Sequence, residues 1–203
     1  MESRMIYRAF DIFLTLILLA VSSPLMVMVA LVIYLRDGRP ILFQQERVGI
    51  DRKAFTIYKF RTMRNGSNFN SQLATTSKEA LMEERSKMRV KSNKDPRITA
   101  IGAILRRTHL DELPQLFNVL RGDLSLVGVR PDTPLQEYDY PEGYWITRHR
   151  YSPGITGPDQ LRHSSNIAGR VENEKLWLEE RSVGLYLKYL SMTPLKMLKR
   201  TSF

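Results

Sequence analysis

Residues 12–35 form a run of 24 positions without one charge, closed by Asp11 before it and Arg36 after it. A straight helix of that length reaches about 36 Å, enough for a bilayer core of roughly 30 Å. The run is longer than a signal-peptide core and no small-x-small cleavage site follows it, which predicts a membrane-inserted helix rather than a leader. Ser22-Ser23-Pro24 falls in its middle. Proline removes a backbone donor, so a kink is expected there, and serine hydroxyls can take up the freed carbonyls. Both flanks are basic, with Arg4 and Arg8 before the run and Arg36 and Arg39 after it. The positive-inside rule wants both ends on the cytoplasmic side. A helix bent at Ser23-Pro24 that enters and leaves by one face satisfies that rule; a kinked spanning anchor is the alternative. Arg8 and Asp11 share a helix face and either pair at the boundary or stay separately solvated.

Beyond the run the periodicity changes. Residues 41–63 read as extended, with Ile41-Leu42-Phe43, then Phe55 and Ile57 alternating with polar positions and a Gly-Ile-Asp-Arg turn between, which predicts a hairpin. Residues 64–94 are polar, with a short helical pattern at 78–88, and predict an exposed insertion. Ile98, Ile101, Ile104 and Leu105 have helical spacing, as do Leu113, Leu116, Phe117 and Leu120, with Gly122 just past the second helix. Residues 124–141 show little periodicity, and Pro153-Gly154-Ile155-Thr156-Gly157 predicts a rigid turn. Residues 176–200 mix apolar and basic positions at helical intervals, interrupted at Pro194. That segment packs on the core or lies on a membrane surface.

Charge and composition narrow the chemistry. The residues after 35 carry the whole formal net charge of +10, which suits nucleic acid, an anionic membrane or phosphate-bearing substrates. No cysteine is present, which excludes disulfides, thiolate-bound zinc, iron–sulfur clusters and a thiol nucleophile. His109, His149 and His163 have no HExxH spacing, and neither a Walker A pattern nor a Gly-x-Ser-x-Gly elbow occurs. No nucleic-acid motif occurs either, and the apolar run argues against that class.

The sharpest candidate is Leu110-Asp111-Glu112-Leu113-Pro114, two adjacent acids opening a helix. One reading is structural: Asp111 caps the helix and Glu112 complements its positive end. The other is catalytic, since neighbouring carboxylates split their proton affinities and a helix start favours anions. Basic residues surround the pair in sequence: Lys59, Arg61, Arg97, Arg106, Arg107, Arg121 and Arg130. Carboxylate attack on phosphorus, Mg²⁺ held by one carboxylate and arginines on phosphate oxygens would together make phosphoryl chemistry.

Arg8-x-x-Asp11, Ser23-Pro24, Phe43-Gln44-Gln45-Glu46-Arg47-Val48-Gly49 and Tyr58-Lys59-Phe60-Arg61-Thr62-Met63 occur in that order. They precede Leu105-Arg106-Arg107-Thr108, the stretch from Leu110-Asp111-Glu112-Leu113-Pro114 to Val127-Gly128, Arg130-Pro131 and Pro153-Gly154-Ile155-Thr156-Gly157. Over roughly residues 6–158 the chain resembles the bacterial sugar transferases, monotopic polyprenyl-phosphate phosphoglycosyl transferases. The resemblance implies an α+β fold: a re-entrant helix broken at Ser23-Pro24, then a small, mainly helical cytosolic domain with a short β-hairpin and interfacial amphipathic helices. The corresponding division is residues 1–38 as anchor and 39–203 as transferase domain, with 64–94 inserted. It implies transfer of a phospho-sugar from a nucleotide sugar, a UDP-sugar, to a polyprenyl phosphate such as undecaprenyl phosphate, with UMP released. That is a first membrane step of glycoconjugate biosynthesis at the cytoplasmic face of a bacterial inner membrane, among the lipids of that leaflet.

By the same resemblance Asp111 is the nucleophile of a ping-pong route and a Mg²⁺ ligand, with Glu112 assisting. Lys59, Arg61, Arg107 and Arg130 contact phosphate or nucleotide. The chain departs from the family pattern at Val129, Ser152, Pro158, Asp159 and Gly184, near presumed donor contacts, with Arg148 or Arg150 as substitutes for an arginine expected at 152.

Overall fold

A computed structural model describes residues 2–64, 95–162 and 164–200. Apart from Arg64, the expected insertion and its helical pattern at 78–88 lie outside the described residues.

Helix α1 spans Glu2–Asp37 and continues through Pro24 rather than stopping there. Proline 24 leaves the carbonyl of Ala20 without its helical donor. Ser23 Oγ donates to that carbonyl at 3.2 Å, and Ser22 Oγ donates to Leu18 O at 2.6 Å, so the serines carry the bonding past the proline. By length and composition this helix is able to cross a membrane.

Helix α1 is buried in two patches, one near each end, with no buried residue between Thr15 and Val29. Tyr7, Asp11 and Thr15 bury the first half, and Val29 and Ile33 the second. Phe13, Val21, Val27, Leu31 and Leu35 stand exposed on the other side. The first half packs into the main core with Leu116, Val119, Leu126, Trp177 and Tyr186. The second half packs on Phe60 and Leu105. Arg8 and Asp11 neither pair with each other nor stay solvated; each finds partners in the domain instead. Arg8 donates to Val119 O at 2.5 Å and Leu120 O at 2.6 Å. Asp11 accepts from Leu126 N at 2.8 Å, Ser125 Oγ at 3.0 Å and Tyr186 OH at 2.7 Å. These polar contacts tie the first half of α1 to α3, β3 and α7.

The hairpin forms as the alternation predicts. Strands β1 (Leu42–Val48) and β2 (Ala54–Phe60) pair antiparallel, Leu42 opposite Phe60 and Val48 opposite Ala54. Helix α2 (Ala100–Thr108) starts at Thr99, whose side chain accepts from Gly102 N. Helix α3 (Gln115–Arg121) ends at Gly122, whose φ of 91° lets its N–H reach the Asn118 and Val119 carbonyls.

Two expectations fail beyond α3. Residues 153–157 are not a turn: β3 (Ser125–Val127) and β4 (Gly154–Thr156) pair in parallel. A Cβ on Gly154 would lie 2.0 Å from Gly128 N, so glycine is what lets the two strands meet. The chain then runs through α4 (Tyr144–Arg148), α5 (Pro158–Arg162), α6 (Ile167–Glu179) and α7 (Val183–Arg200). The interruption expected at Pro194 falls at residues 180–182, and Pro194 sits inside α7. Helix α7 buries Tyr186 and Tyr189 in the core while Leu187, Met192 and Leu195 stay exposed.

Candidate active site

The acids do not cap a helix. Asp111 and Glu112 occupy a separate 3-10 turn, Leu110–Glu112, and Pro114 holds the N-cap position of α3. His109 ends α2 in the left-handed region, φ 58°, which swings the chain directly into that turn. Such a conformation costs a non-glycine residue about 1 kcal/mol, tolerated because α2 and α3 fix both sides.

The two carboxylates are unequal. Lys59 Nζ on β2 donates to Glu112 Oε1 at 2.5 Å. Burial pushes Glu112 up, but Lys59's charge and hydrogen bond, with Arg130 behind them, outweigh it and leave its pKa lowered. Asp111 has no hydrogen-bond or ion-pair partner among the described residues. Burial, then the negative charge of Glu112, raise its pKa; Lys59, His109 and Arg106 oppose this without winning. A raised pKa makes Asp111, once ionised, the better nucleophile of the two.

Lys59 and Glu112 face a cleft also lined by Arg47, Gln115, Arg130 and Gln160, with Ile57 and Ile155 on its apolar side. Arg47 is pulled down to about 10 by burial and then by the charge of Arg130. Its Nε has no acceptor, and Gln160 Oε1 is likewise buried without a donor. Cations crowded beside one carboxylate, with both an unmet donor and an unmet acceptor, suit a polar anionic ligand.

Of the basic residues singled out from sequence, Lys59 and Arg130 line this cleft and Arg61 and Arg107 do not. Arg61 is buried, donating to Asp37 O at 2.5 Å and Gly38 O at 3.1 Å, where it ties down the end of α1. Arg106 and Arg107 are both exposed, but Arg106 Nε donates to Thr62 Oγ1 at 2.9 Å and adds to the field on Asp111. Arg47, Gln115 and Gln160 are the cleft residues that sequence reasoning gave no role. The signal for Arg47 was present, since Phe43, Gln45 and Arg47 share the less exposed face of β1.

Behind Arg130 lies a buried ion network. Arg148 pairs with Asp132 at 3.1 Å and Glu174 at 2.9 Å; Arg170 pairs with Asp132 at 3.0 Å and Glu174 at 3.2 Å. Arg148 also donates to the Arg130 carbonyl at 3.1 Å. Arg148 therefore supports the Arg130 loop and is not free to replace the arginine expected at Ser152; Arg150 is exposed. His149 is buried, with Nδ1 2.7 Å from Trp145 O. His163 lies outside the described residues.

No group of three or more His, Asp or Glu able to hold a metal occurs among the described residues. With Glu112 engaged by Lys59, Asp111 is the carboxylate left open. Mg²⁺ commonly binds through one or two carboxylates plus substrate phosphates and water, so this donor set fits an ion arriving with a diphosphate rather than a protein cage.

One chain thus carries a helix long and apolar enough to cross a membrane, a carboxylate pair and a cationic cleft. The chain belongs to the bacterial sugar transferase family, matching it over residues 2–200. It is 36% identical over 199 residues to an undecaprenyl-phosphate glucose phosphotransferase of Komagataeibacter xylinus, covering 92% of this chain and 34% of that protein. It is 41% identical over 169 residues to the undecaprenyl-phosphate galactose phosphotransferase of Salmonella typhimurium, covering 82% of this chain and 34% of that protein. The exopolysaccharide production protein PSS of Rhizobium leguminosarum is 44% identical over 162 residues, covering 76% of this chain and 72% of that protein. The chain thus spans about a third of the length of the first two relatives.

Proposed function

We propose that this chain transfers a phospho-sugar from a UDP-sugar to a polyprenyl phosphate, through a covalent intermediate on Asp111. The observation that carries the reading is the inequality of the dyad: Lys59 engages Glu112 and leaves Asp111 without a partner. The Asp111 carboxylate attacks the phosphorus that bears the sugar. The bond from that phosphorus to the bridging oxygen breaks, and UMP leaves with the oxygen. A phosphate oxygen of the polyprenyl acceptor then attacks the same phosphorus, forming the diphosphate and freeing Asp111. Glu112 serves as the proton acceptor if the acceptor phosphate arrives protonated. Arg47, Lys59 and Arg130 balance the diphosphate charge and orient its oxygens. Bound Mg²⁺ would neutralise diphosphate charge and polarise phosphorus, with Asp111 its protein ligand in the donor complex.

The names of the relatives support the acceptor and reaction class. Membrane placement draws on α1. Its two buried patches both pack on one domain, and both ends carry arginine, which favours a helix entering and leaving by the cytoplasmic face. Residues 1–38 would then be the re-entrant anchor and 39–203 the cytosolic catalytic unit, meeting a soluble donor and a lipid acceptor at the headgroup plane. The test is UMP release from a panel of UDP-sugars with undecaprenyl phosphate and Mg²⁺. Turnover is expected with at least one donor and none in Asp111→Asn; turnover retained by Asp111→Asn overturns the reading.

A further inference from the structure

Arg181, between α6 and α7, is half-buried and differs from the other arginines drawn into the structure. Arg8 and Arg61 reach backbone carbonyls, and Arg148 and Arg170 reach carboxylates. Arg181 touches only rings: its Cζ lies 4.0 Å from the Tyr7 ring centroid, 4.8 Å from Tyr151 and 5.0 Å from Trp177. Its Nε is enclosed without an acceptor, and no carboxylate or carbonyl accepts from its guanidinium among the described residues. Stacking uses the faces of a guanidinium and leaves its in-plane N–H groups for an anion. Burial lowers its pKa, and the charge of Asp11 and the surrounding tyrosines offset this only in part.

An apolar trough adjoins it. Ile6, Ala9, Phe10 and Phe13 recur on one face of α1 and line a shallow depression, with Ile6 46% and Phe13 63% exposed. The two meet at Tyr7, which follows Ile6 on α1 and carries Arg181; beneath the surface the Phe10 ring lies 6.2 Å from the buried Tyr186 ring, which lies 5.7 Å from that of Tyr7.

We propose that Arg181 and this trough bind a membrane phospholipid, the guanidinium taking its phosphate and α1 one of its acyl chains. The inference rests on reading α1 as membrane-embedded and stands apart from the Asp111 chemistry. A guanidinium–phosphate fork supplies the polar half, and the adjoining trough is what favours a lipid over free phosphate. The occupant is an anionic glycerophospholipid, whose charge Arg181 alone would compensate.

The full chain in mixed micelles with equimolar phosphatidylglycerol and phosphatidylcholine tests this, with retained lipid counted by native mass spectrometry. Wild type should retain phosphatidylglycerol preferentially. Arg181→Gln should lose about tenfold of that retention, Arg181→Lys should keep part of it, and Phe13→Ser should weaken it without touching the charge. Helical content by circular dichroism confirms that each variant is folded. Equal retention by wild type and a folded Arg181→Gln overturns the proposal, as does inorganic phosphate displacing the lipid fully, which would make the site one for free phosphate. Asp111→Asn should retain lipid like wild type, so failure of the transferase reading leaves this result standing. Release of the chain from vesicles by alkaline carbonate would refute the membrane reading separately.

Discussion

Lys59 Nζ lies 2.5 Å from Glu112 Oε1, so the lysine favours the charged form of the second acid, while the first has no hydrogen-bond or ion-pair partner among the described residues and is pushed up by burial and its neighbour's negative charge. Strand β2 delivers that lysine across 53 residues of sequence to a 3-10 turn that the left-handed His109 has aimed at it. Division of labour in the dyad follows from this one contact.

The acid limb of the first step should follow Asp111. Its raised pKa requires more alkaline conditions for ionisation than an ordinary aspartate, so UMP release falls as pH drops through that raised value. Lys59→Met removes a charge that favours the anion and should move the limb to higher pH. Glu112→Gln removes a like charge and should move it lower, while slowing turnover about 10²- to 10⁴-fold. Single-turnover pH profiles of UMP release read both shifts; two variants with the wild-type limb would mean that Asp111 is not the titrating group.

Arg47 should matter for the donor, Arg61 for the anchor and Arg107 for neither. Arg47→Met is expected to raise KM for the UDP-sugar about 10- to 100-fold and, by taking its donor from Pro131 O, to cost about 1–3 kcal/mol of stability as well. Arg61→Met leaves the Asp37 and Gly38 carbonyls without their donor and should cost about 1–3 kcal/mol of stability. Arg107→Met should resemble wild type in both. Steady-state kinetics and thermal unfolding separate the three.

The network behind Arg130 should be unforgiving of single changes. Asp132 and Glu174 each meet both Arg148 and Arg170, all essentially out of water. Glu174→Gln leaves the buried Arg148 and Arg170 sharing Asp132, with Asp159 3.7 Å from Arg170 as the remaining carboxylate, and should cost about 3–5 kcal/mol in denaturant unfolding. Because Arg148 also holds the Arg130 carbonyl, Arg148→Met should lower activity as well as stability.

His149 should make stability depend on pH. Burial pulls its pKa from 6.5 to about 4. In that window the unfolded chain binds a proton that the folded chain refuses, so stability falls as pH drops from 6.5 towards 4 and the contribution is spent below. The difference between wild type and His149→Phe in melting temperature against pH should show this slope, worth roughly 3 kcal/mol at full extent. Parallel curves would contradict it.

What was legible in the sequence was what local pattern controls. The charge-free run, the hairpin and the helices around the acids follow from periods of 3.6 and 2 that survive into the fold. Strands β3 and β4 were not legible, because three residues buried on both faces show no alternation and their pairing needs Gly154 against a strand 27 residues earlier. Arg61 lies outside the cleft that Lys59 lines: β2 ends at Phe60, and the Arg61 side chain turns to the Asp37 and Gly38 carbonyls, a placement no local pattern signals. Arg106 and Arg107, adjacent on α2, diverge by a helical step, and sequence alone does not say which faces Asp111. Arg181 gave no signal at all, since its cage draws rings from α1, α6 and the segment before β4.

The most direct test of the central claim is to incubate the protein with Mg²⁺ and UDP-sugar labelled in the β-phosphate, withholding polyprenyl phosphate. Peptide mapping should place one phospho-sugar on Asp111, released on adding acceptor and absent from Asp111→Asn. Turnover by wild type with no label trapped on this residue under any acceptor-free condition would contradict the account.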